Sequence, residues 1–147
     1  MRLSTPVWLI GAGLMAKDYA RVLQALGISF EVIGRGNDSA ATFEKETGHR
    51  VRRGGIAEAL ASINAPDKAI VAVGVEQLAA TTAELLRAGV KRIMVEKPAG
   101  LDLAEVEELN QVAIERDASV LLAYNRRFYG AGQQARDAIT EDGGVVS

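Results

Sequence analysis

A glycine-rich turn near the amino terminus constrains the fold more than any other feature of this sequence. The apolar run 7–10 leads directly into Gly11-Ala12-Gly13-Leu14-Met15-Ala16, a G-x-G-x-x-A pattern, and a helical pattern follows at once. In a strand–turn–helix unit of this kind, the first glycine permits the tight turn and the second lets a pyrophosphate approach the backbone. The third position, here alanine, is small enough for helix–strand contact. The turn therefore predicts a dinucleotide site at the amino end of the following helix, formed by Gly11, Ala12, Gly13, Leu14 and Met15.

Short apolar runs alternate with helical patterns along the rest of the chain. The predicted strands are 7–10, 30–33, a weak one at 49–52, 69–73, 92–95 and 120–123, and predicted helices include 15–26, 79–88 and 104–116. Several strands are almost continuously apolar, which is typical of strands buried on both faces. We therefore predict an α/β fold, a doubly wound parallel sheet (Rossmann fold) of about six strands with helices on both faces. This nucleotide-binding domain is expected to span residues 1–124.

Helix ends carry signals of their own. Asp102 with Glu105 three residues later forms a capping-box pattern that predicts a helix start. Gly27 and Gly89 follow the last apolar positions of two helical patterns and predict helix ends.

Composition excludes several classes of function. Lys and Arg number 17 against 19 Asp and Glu, with both signs scattered, so we expect neither a nucleic-acid nor a membrane partner. The absence of cysteine excludes disulfides and thiolate metal ligands, and no metal site is predicted. Cytoplasmic localisation is the expectation that fits a reducing compartment.

The end of the second strand bears on the choice between NAD and NADP. Domains that hold the 2′-hydroxyl of NAD place a carboxylate there, whereas this chain has Gly34-Arg35-Gly36. Glu31 stands at a suitable count from the glycine turn but lies inside the strand, so we discount it. A guanidinium suits a 2′-phosphate, which favours NADP over NAD as cofactor, the alternative being that Arg35 is a solvated surface residue.

Distinctive residues also follow the carboxyl ends of the other strands, which share one edge in an open parallel sheet. Gly74-Val75-Glu76-Gln77 follows the fourth strand, Glu96-Lys97-Pro98 the fifth, and Tyr124-Asn125-Arg126-Arg127 the sixth. We therefore predict that the cofactor site also includes Gly34, Arg35, Val73, Gly74, Gln77, Glu96, Lys97, Asn125 and Arg126.

Three of these segments together carry a family resemblance. The glycine turn, Val95-Glu96-Lys97-Pro98 and Ala123-Tyr124-Asn125-Arg126-Arg127-Phe128 resemble the amino-terminal domain of the glucose-fructose oxidoreductase, inositol dehydrogenase and rhizopine-catabolism (Gfo/Idh/MocA) family. The resemblance covers essentially all of the chain, and Glu-Lys-Pro is its most specific element.

The resemblance implies hydride transfer between a nicotinamide cofactor and a hydroxyl or keto carbon of a sugar, cyclitol or sugar nucleotide. It implies that Lys97 is the catalytic residue beside the nicotinamide, where an ammonium can stabilise a developing alkoxide or relay its proton. A solvated surface lysine is the alternative reading. The family often has a cis bond before the proline of this motif, and its members commonly form homo-oligomers.

Two departures from the family pattern stand out. Gly74-Val75-Glu76-Gln77-Leu78 replaces the usual Pro-Asn turn and histidine. The resemblance also implies that the family's acid/base histidine belongs to a substrate domain that follows residue 147. The single histidine, His49, lies far from the predicted ligand edge, and we expect it to be a surface or edge-strand residue. Residues 125–147 are predicted to form a helix and, at Val145-Val146-Ser147, the start of a truncated second domain. We therefore expect the full-length protein to be an enzyme and this fragment alone to be inactive.

Other functions remain as alternatives. The chain could be a dinucleotide-binding sensor or regulatory module without chemistry, or an assembly module that uses the sheet as scaffold. A short-chain dehydrogenase lacks support because no tyrosine is followed four residues later by lysine, and a phosphate-loop NTPase lacks its Gly-Lys-Ser/Thr sequence. A methyltransferase would leave Glu96-Lys97-Pro98 unexplained.

Overall fold

The structure, a computed structural model, describes residues 5–144 apart from the side chain at position 127. Its strands are β1 (Val7–Ile10), β2 (Phe30–Ile33), β3 (Val51–Arg52), β4 (Lys68–Val71), β5 (Arg92–Val95) and β6 (Ser119–Leu122). Its helices are α1 (Leu14–Ala25), α2 (Asn37–Thr47), α3 (Gly55–Ser62), α4 (Val75–Arg87), α5 (Leu103–Glu115) and α6 (Gly130–Glu141), with a 3-10 helix at Asn125–Phe128. All neighbouring strands pair in parallel in the order β3-β2-β1-β4-β5-β6, which confirms the predicted doubly wound sheet.

The two faces of the sheet have separate hydrophobic cores because successive strand residues point to opposite sides. On one face, Leu9, Val32 and Ile70 pack against α1 and α2. On the other face, Trp8, Val71 and Ile93 pack against α3, α4 and α5. Burial on both faces explains why β1 and β4 are nearly continuous apolar runs in the sequence.

The predicted bounds of three elements are wrong by more than one residue. The sequence predicts a turn at 74–77 and a helix over 79–88, whereas α4 already begins at Val75. Leu78, Thr82 and Leu85 are fully buried at helical spacing, and an acidic residue in the first turn suits the positive amino end of a helix. Similarly, β4 ends at Val71 rather than 73, and β3 is only two residues long.

Helices α2 and α3 were not predicted from the sequence, and each has a physical reason. In α2 only Ala40 and Phe43 are buried, so its apolar stripe is too thin to stand out from a loop. Helix α3 follows Gly54 and begins at Gly55, and both glycines have positive φ angles. Two consecutive glycines normally indicate a turn, and here the turn opens directly into the helix.

Predicted helix ends are confirmed at three places. The Asp102 carboxylate accepts a hydrogen bond from the Glu105 backbone N–H at 2.9 Å and thereby caps α5. The Glu105 carboxylate in turn accepts from the Leu101 N–H at 2.7 Å, which is one residue before the partner that a capping box uses. Gly27 and Gly89 adopt positive φ angles just after α1 and α4.

The segment after β6 packs little against the rest of the described chain. Helix α6 contains no buried residue, and its main contacts are with the preceding 3-10 helix. The strand predicted to start at residues 145–147 lies outside the described residues. Between residues 5 and 144, no helix combines the length and apolar character needed to cross a membrane.

Ionic contacts tie α2 to its neighbours on both sides. Lys17 of α1 is almost buried, and its ammonium lies 2.8 Å from the Glu46 carboxylate. Glu44 accepts hydrogen bonds from the Arg53 guanidinium at 2.8 and 3.1 Å and from the Val51 backbone N–H at 2.9 Å. The Arg53 and Val51 hydrogen bonds lower the pKa of Glu44, and the Lys17 hydrogen bond lowers the pKa of Glu46.

These contacts predict a loss of stability in acid. A carboxyl group whose pKa is lower in the folded than in the unfolded state stabilises the fold above its unfolded pKa, here 4.5, and this contribution disappears as the pH falls through the folded pKa. Glu44→Gln should therefore lower the free energy of unfolding at neutral pH and make it less dependent on pH below 4.5. Urea unfolding at a series of pH values measures both effects. Glu107→Gln, at an exposed position on α5, is the control and should change neither, whereas identical pH profiles for Glu44→Gln and wild type would contradict the prediction.

Candidate functional site

A cleft of about 710 Å³ opens at the carboxyl ends of β1, β2 and β4. In the sheet order β1 lies between β2 and β4, so α1 leaves towards one face and α4 packs on the other. Such a switch point leaves a crevice outside the strand ends. Ten of the fourteen residues predicted for the cofactor site line this cleft, namely Gly11, Ala12, Gly13, Leu14, Met15, Gly34, Arg35, Val73, Gly74 and Gln77.

Gly11 shapes the floor of the cleft. Its N–H donates to the Ile33 carbonyl at 2.8 Å, and its φ of +116° is a conformation that L side chains rarely adopt. A Cβ at this position would lie 2.2 Å from the backbone oxygen of Ala72. Only glycine therefore lets the turn after β1 pass between the ends of β2 and β4.

Gly13 faces open space. It precedes the first residue of α1, no side chain caps the helix there, and a Cβ on Gly13 would meet no atom within 4 Å. The first N–H groups of a helix lack partners inside the helix and carry a partial positive charge. An open backbone surface beside such groups fits the pyrophosphate of a dinucleotide.

The end of β2 forms one wall of the cleft. Arg35 is exposed, and its stem lies against Gly55, where an added Cβ would be 2.7 Å from the Arg35 Cγ. Ser39, from the first turn of α2, lines the same wall. Glu31 is not part of this lining and instead lies 3.6 Å from the Arg52 guanidinium.

The start of α4 forms the opposite wall. Gly74 precedes the helix, and Glu76 and Gln77 of its first turn line the cleft. Leu78, which stands where the family pattern has histidine, is fully buried in the core beneath α4. Its side chain therefore does not reach the cleft.

The other four predicted residues lie outside the lining of this cleft. Glu96 and Lys97 follow β5, and Asn125 and Arg126 belong to the 3-10 helix that follows β6. Because the strands are parallel, both segments occupy the same edge of the sheet as the cleft. Lys97 is exposed, and the peptide bond between Lys97 and Pro98 is cis.

A contact between α1 and the loop after β5 was not predicted. The Tyr19 hydroxyl donates to Glu96 Oε1 at 2.5 Å, across 77 positions of sequence. Burial of the phenol, together with the Glu96 carboxylate that accepts its hydrogen bond, raises the pKa of Tyr19. In the sequence Tyr19 reads only as part of an apolar helical stripe, and nothing local indicates its partner.

Sequence reasoning also missed part of the lining. Ser39, Gly54 and Gly55 line the cleft, and they belong to the two helices that were not predicted and to the turn before α3. The glycine pair after a weak strand was the available signal. His49 lies away from the cleft, with its ring centroid 4.6 Å from that of Phe30.

Comparison with known proteins bears on this arrangement. The sequence model of the oxidoreductase family with an NAD-binding Rossmann fold (GFO_IDH_MocA) matches residues 6–124. The chain belongs to this family. It therefore contains an NAD(P)-binding domain of the oxidoreductase type, and the resemblance noted in the sequence is confirmed. A comparison with curated protein sequences gave no match.

Solved structures share the fold at low sequence identity. GenD2 from gentamicin A biosynthesis, in complex with NAD, has a TM-score of 0.82 and 23% identity over 95% of this chain and 40% of its own. The WlbA dehydrogenase from Bordetella pertussis, in complex with NADH and UDP-GlcNAcA, has a TM-score of 0.82 and 18% identity over 95% of this chain and 43% of its own. A mutant of KijD10, a 3-ketoreductase from Actinomadura kijaniata, in complex with TDP-benzene and NADP, has a TM-score of 0.78 and 24% identity over 95% of this chain and 43% of its own. The chain thus spans about two fifths of the length of these proteins.

The geometry at Gly11 predicts that this glycine is required for folding. Gly11→Ala should lower the free energy of unfolding by about 3 kcal/mol or more, because it combines an unfavourable φ with overlap against the Ala72 carbonyl. Gly13→Ala is the matched control. It adds the same methyl group in open space at a φ of −86° and should leave stability within about 1 kcal/mol of wild type. Chemical denaturation measures both variants, and equal stabilities would show that the turn can relax around a side chain.

Proposed function

We propose that this chain is the cofactor domain of an oxidoreductase that transfers a hydride between NADP and a hydroxyl or keto carbon of a sugar, cyclitol or sugar nucleotide. The observation that carries the proposal is the cleft itself. The glycine turn, the open amino end of α1 and the Arg35 wall line one cavity at the switch point of a parallel sheet. Such a crevice is where doubly wound folds bind dinucleotides.

The residues of the cleft divide the work of holding the cofactor. The backbone of Gly11, Ala12 and Gly13 with the amino end of α1 would hold the pyrophosphate. Gly34 and Arg35 would contact the adenosine half, and Val73, Gly74 and Gln77 would contact the nicotinamide half from the opposite wall. The bound cofactor supplies the nicotinamide ring that accepts or gives the hydride.

The wall after β2 supports NADP as the preferred cofactor. Arg35 and Ser39 line this wall, and no carboxylate of β2 or of the first turn of α2 does so within the described residues. A guanidinium pairs with phosphate through two parallel hydrogen bonds. The Ser39 hydroxyl, which here donates to the Gly36 carbonyl at 3.1 Å, would add a third by turning from that carbonyl to the phosphate. The adenosine ribose of NAD carries a 2′-hydroxyl in place of the phosphate, so bound NAD would leave the Arg35 guanidinium without a phosphate partner.

Lys97 is proposed as the catalytic residue. Adjacent strands lie about 4.8 Å apart, so the loop after β5 begins roughly 10 Å from the turn after β1, along the same edge. A dinucleotide with its pyrophosphate at Gly13 would extend its nicotinamide half in that direction. There the Lys97 ammonium would stabilise the alkoxide that forms as the hydroxyl loses its proton, and Glu96, Asn125 and Arg126 would complete this end of the site.

Structural neighbours support the substrate class. WlbA and KijD10 were each solved with a nucleotide-sugar ligand or a nucleotide-linked analogue in addition to a nicotinamide cofactor. We propose a substrate of similar chemistry, a sugar or sugar nucleotide with an oxidisable ring carbon, for the whole protein to which this domain belongs. A homo-oligomeric, cytoplasmic protein is part of this proposal.

Calorimetric titration tests the cofactor assignment. NADPH should bind more tightly than NADH, and Arg35→Ala should weaken NADPH binding about ten- to hundredfold, because a charge-assisted hydrogen bond to phosphate contributes about 1.5–3 kcal/mol. NADH binding should change less than about threefold, since NADH lacks the 2′-phosphate.

The control for this titration is Arg136→Ala, on the exposed surface of α6. It should leave the affinity for both nucleotides unchanged. Equal losses for NADPH and NADH in Arg35→Ala would mean that Arg35 contacts adenine rather than the phosphate. Failure of both nucleotides to bind the wild-type chain would contradict the proposed function.

Protection from an amine-reactive reagent tests the place of Lys97. Trace acetylation followed by peptide mass spectrometry should show Lys97 labelled several-fold more slowly when NADP is bound, because the nicotinamide half would cover it. Lys68 provides the internal control. It is exposed and lies at the amino end of β4, whereas the cleft opens at the carboxyl ends of the strands. Equal labelling of Lys97 with and without NADP would place the nicotinamide elsewhere.

A second candidate function is a module that binds the dinucleotide without chemistry. The segment after β4 favours it, because the Pro-Asn turn and the histidine of the family pattern are absent there and Leu78 of this segment is buried in the core. Both candidate functions predict that the chain binds the cofactor, but only the oxidoreductase predicts that the nicotinamide half covers Lys97. A chain that binds NADP without protecting Lys97 would support the non-catalytic module.

A further inference from the structure

Three hydrogen bonds hold Glu96, the residue directly before Lys97. Its N–H donates to the Val71 carbonyl at 2.9 Å, and its own carbonyl accepts from the Ala99 N–H at 3.0 Å. Its side chain accepts from the Tyr19 hydroxyl. The first two contacts are made by the backbone and fix the loop, whereas the third determines only where the carboxylate points.

The direction of that carboxylate matters because Lys97 is its neighbour. A free glutamate next to an exposed lysine can turn towards the ammonium and form an ion pair. In the described part of the chain no carboxylate lies within 4.0 Å of the Lys97 ammonium. The Glu96 carboxylate instead accepts a hydrogen bond from Tyr19 of α1, on the face of the sheet where Tyr19 and Met94 pack against the same core.

We propose that Tyr19 is a positioning residue, whose hydroxyl holds the Glu96 carboxylate on the α1 side of the sheet and thereby keeps it from pairing with Lys97. The inference rests on the role proposed above for Lys97, because an ammonium without an ion-pair partner is available to a substrate oxygen. An ammonium paired with its neighbour would first have to give up that carboxylate.

The chemistry of the pair suits a fixed hold. Because the phenol is half-buried and beside a carboxylate, its pKa is raised, so it remains a hydrogen-bond donor at neutral pH. If the Glu96 carboxylate turned away, the partly buried Tyr19 hydroxyl would lose its hydrogen-bond acceptor, which costs free energy. Tyr19→Phe removes only this oxygen and leaves the ring in place, so it separates the hold on Glu96 from the packing of α1.

The pKa of Lys97 in the free chain is the measurement that tests the inference. In protein labelled with ¹³C-lysine, the Cε signals of the five lysines are followed against pH, and Lys97→Arg identifies the signal of interest. Tyr19→Phe should raise the pKa of Lys97 by about half a unit, because the released carboxylate stabilises the charged ammonium. The same substitution in a Glu96→Gln background should have no effect, because no carboxylate is left to turn.

Each other outcome would overturn the inference. An unchanged Lys97 pKa in Tyr19→Phe would mean that the carboxylate stays away from Lys97 without help. The same rise in the Glu96→Gln background would mean that Tyr19 acts by packing alone. If Tyr19→Phe fails to fold, Glu96→Gln tests the premise that the two side chains are unpaired, since it should then leave the Lys97 pKa almost unchanged. A fall of about one unit would show that the two side chains are already paired.

Tyr129→Phe is the matched control, because it removes the hydroxyl of an exposed tyrosine and should leave the Lys97 pKa unchanged. The titration needs no nucleotide, so its result is independent of whether the chain binds NADP. NADPH affinity is measured separately on the same proteins. A confirmed double-mutant pattern without NADPH binding would retain the positioning role and reject the proposed function.

Discussion

Close approach of backbone to backbone at Gly11 is the constraint on which the rest of the site depends. The chain leaves β1 between two parallel neighbours, and its amide at Gly11 bonds to the end of β2 while its Cα lies against the carbonyl of Ala72 after β4. A side chain there would separate the strand ends. Because the turn is so tight, α1 begins only three residues later, and its amino end faces the crevice where the sheet order reverses. The cleft is thus a consequence of the topology together with one residue that has no Cβ.

Helix α1 connects this turn to more distant parts of the molecule. Lys17 extends from it to Glu46 of α2, and Tyr19 extends to Glu96 after β5. The first contact connects α1 to α2, and the second connects it to the loop that carries Lys97. Its small residues Ala16 and Ala20 are buried against the sheet, which keeps the helix close to the strands. The element that would hold the pyrophosphate is therefore held firmly by both ends of the candidate site.

Regular features of the sequence predicted most of the fold, and local signals predicted ten of the residues that line the cleft. The strand positions followed from apolar runs that only a sheet buried on both faces requires, and the glycine turn placed the site because its geometry is set within six residues. Helices α2 and α3 escaped prediction because one buries too few residues and the other begins with two glycines. The Tyr19–Glu96 contact could not be predicted from the sequence, because it depends on how the tertiary fold places α1 beside the end of β5. The periodicity of apolar residues indicates which positions are buried, but it does not indicate which polar side chains form hydrogen bonds with each other.

In the cleft wall that contains Arg35 and Ser39, the position of one lining side chain depends on the backbone of another lining residue. The Arg35 stem occupies the space that a side chain on Gly55 would fill, and Gly55 has a φ of +75° that also favours glycine. A larger residue there would overlap the Cγ and Cδ atoms of Arg35 and would displace this side chain. The position of the arginine stem therefore depends on Gly55, which lies twenty residues further along the chain and begins α3 shortly after the two-residue edge strand β3.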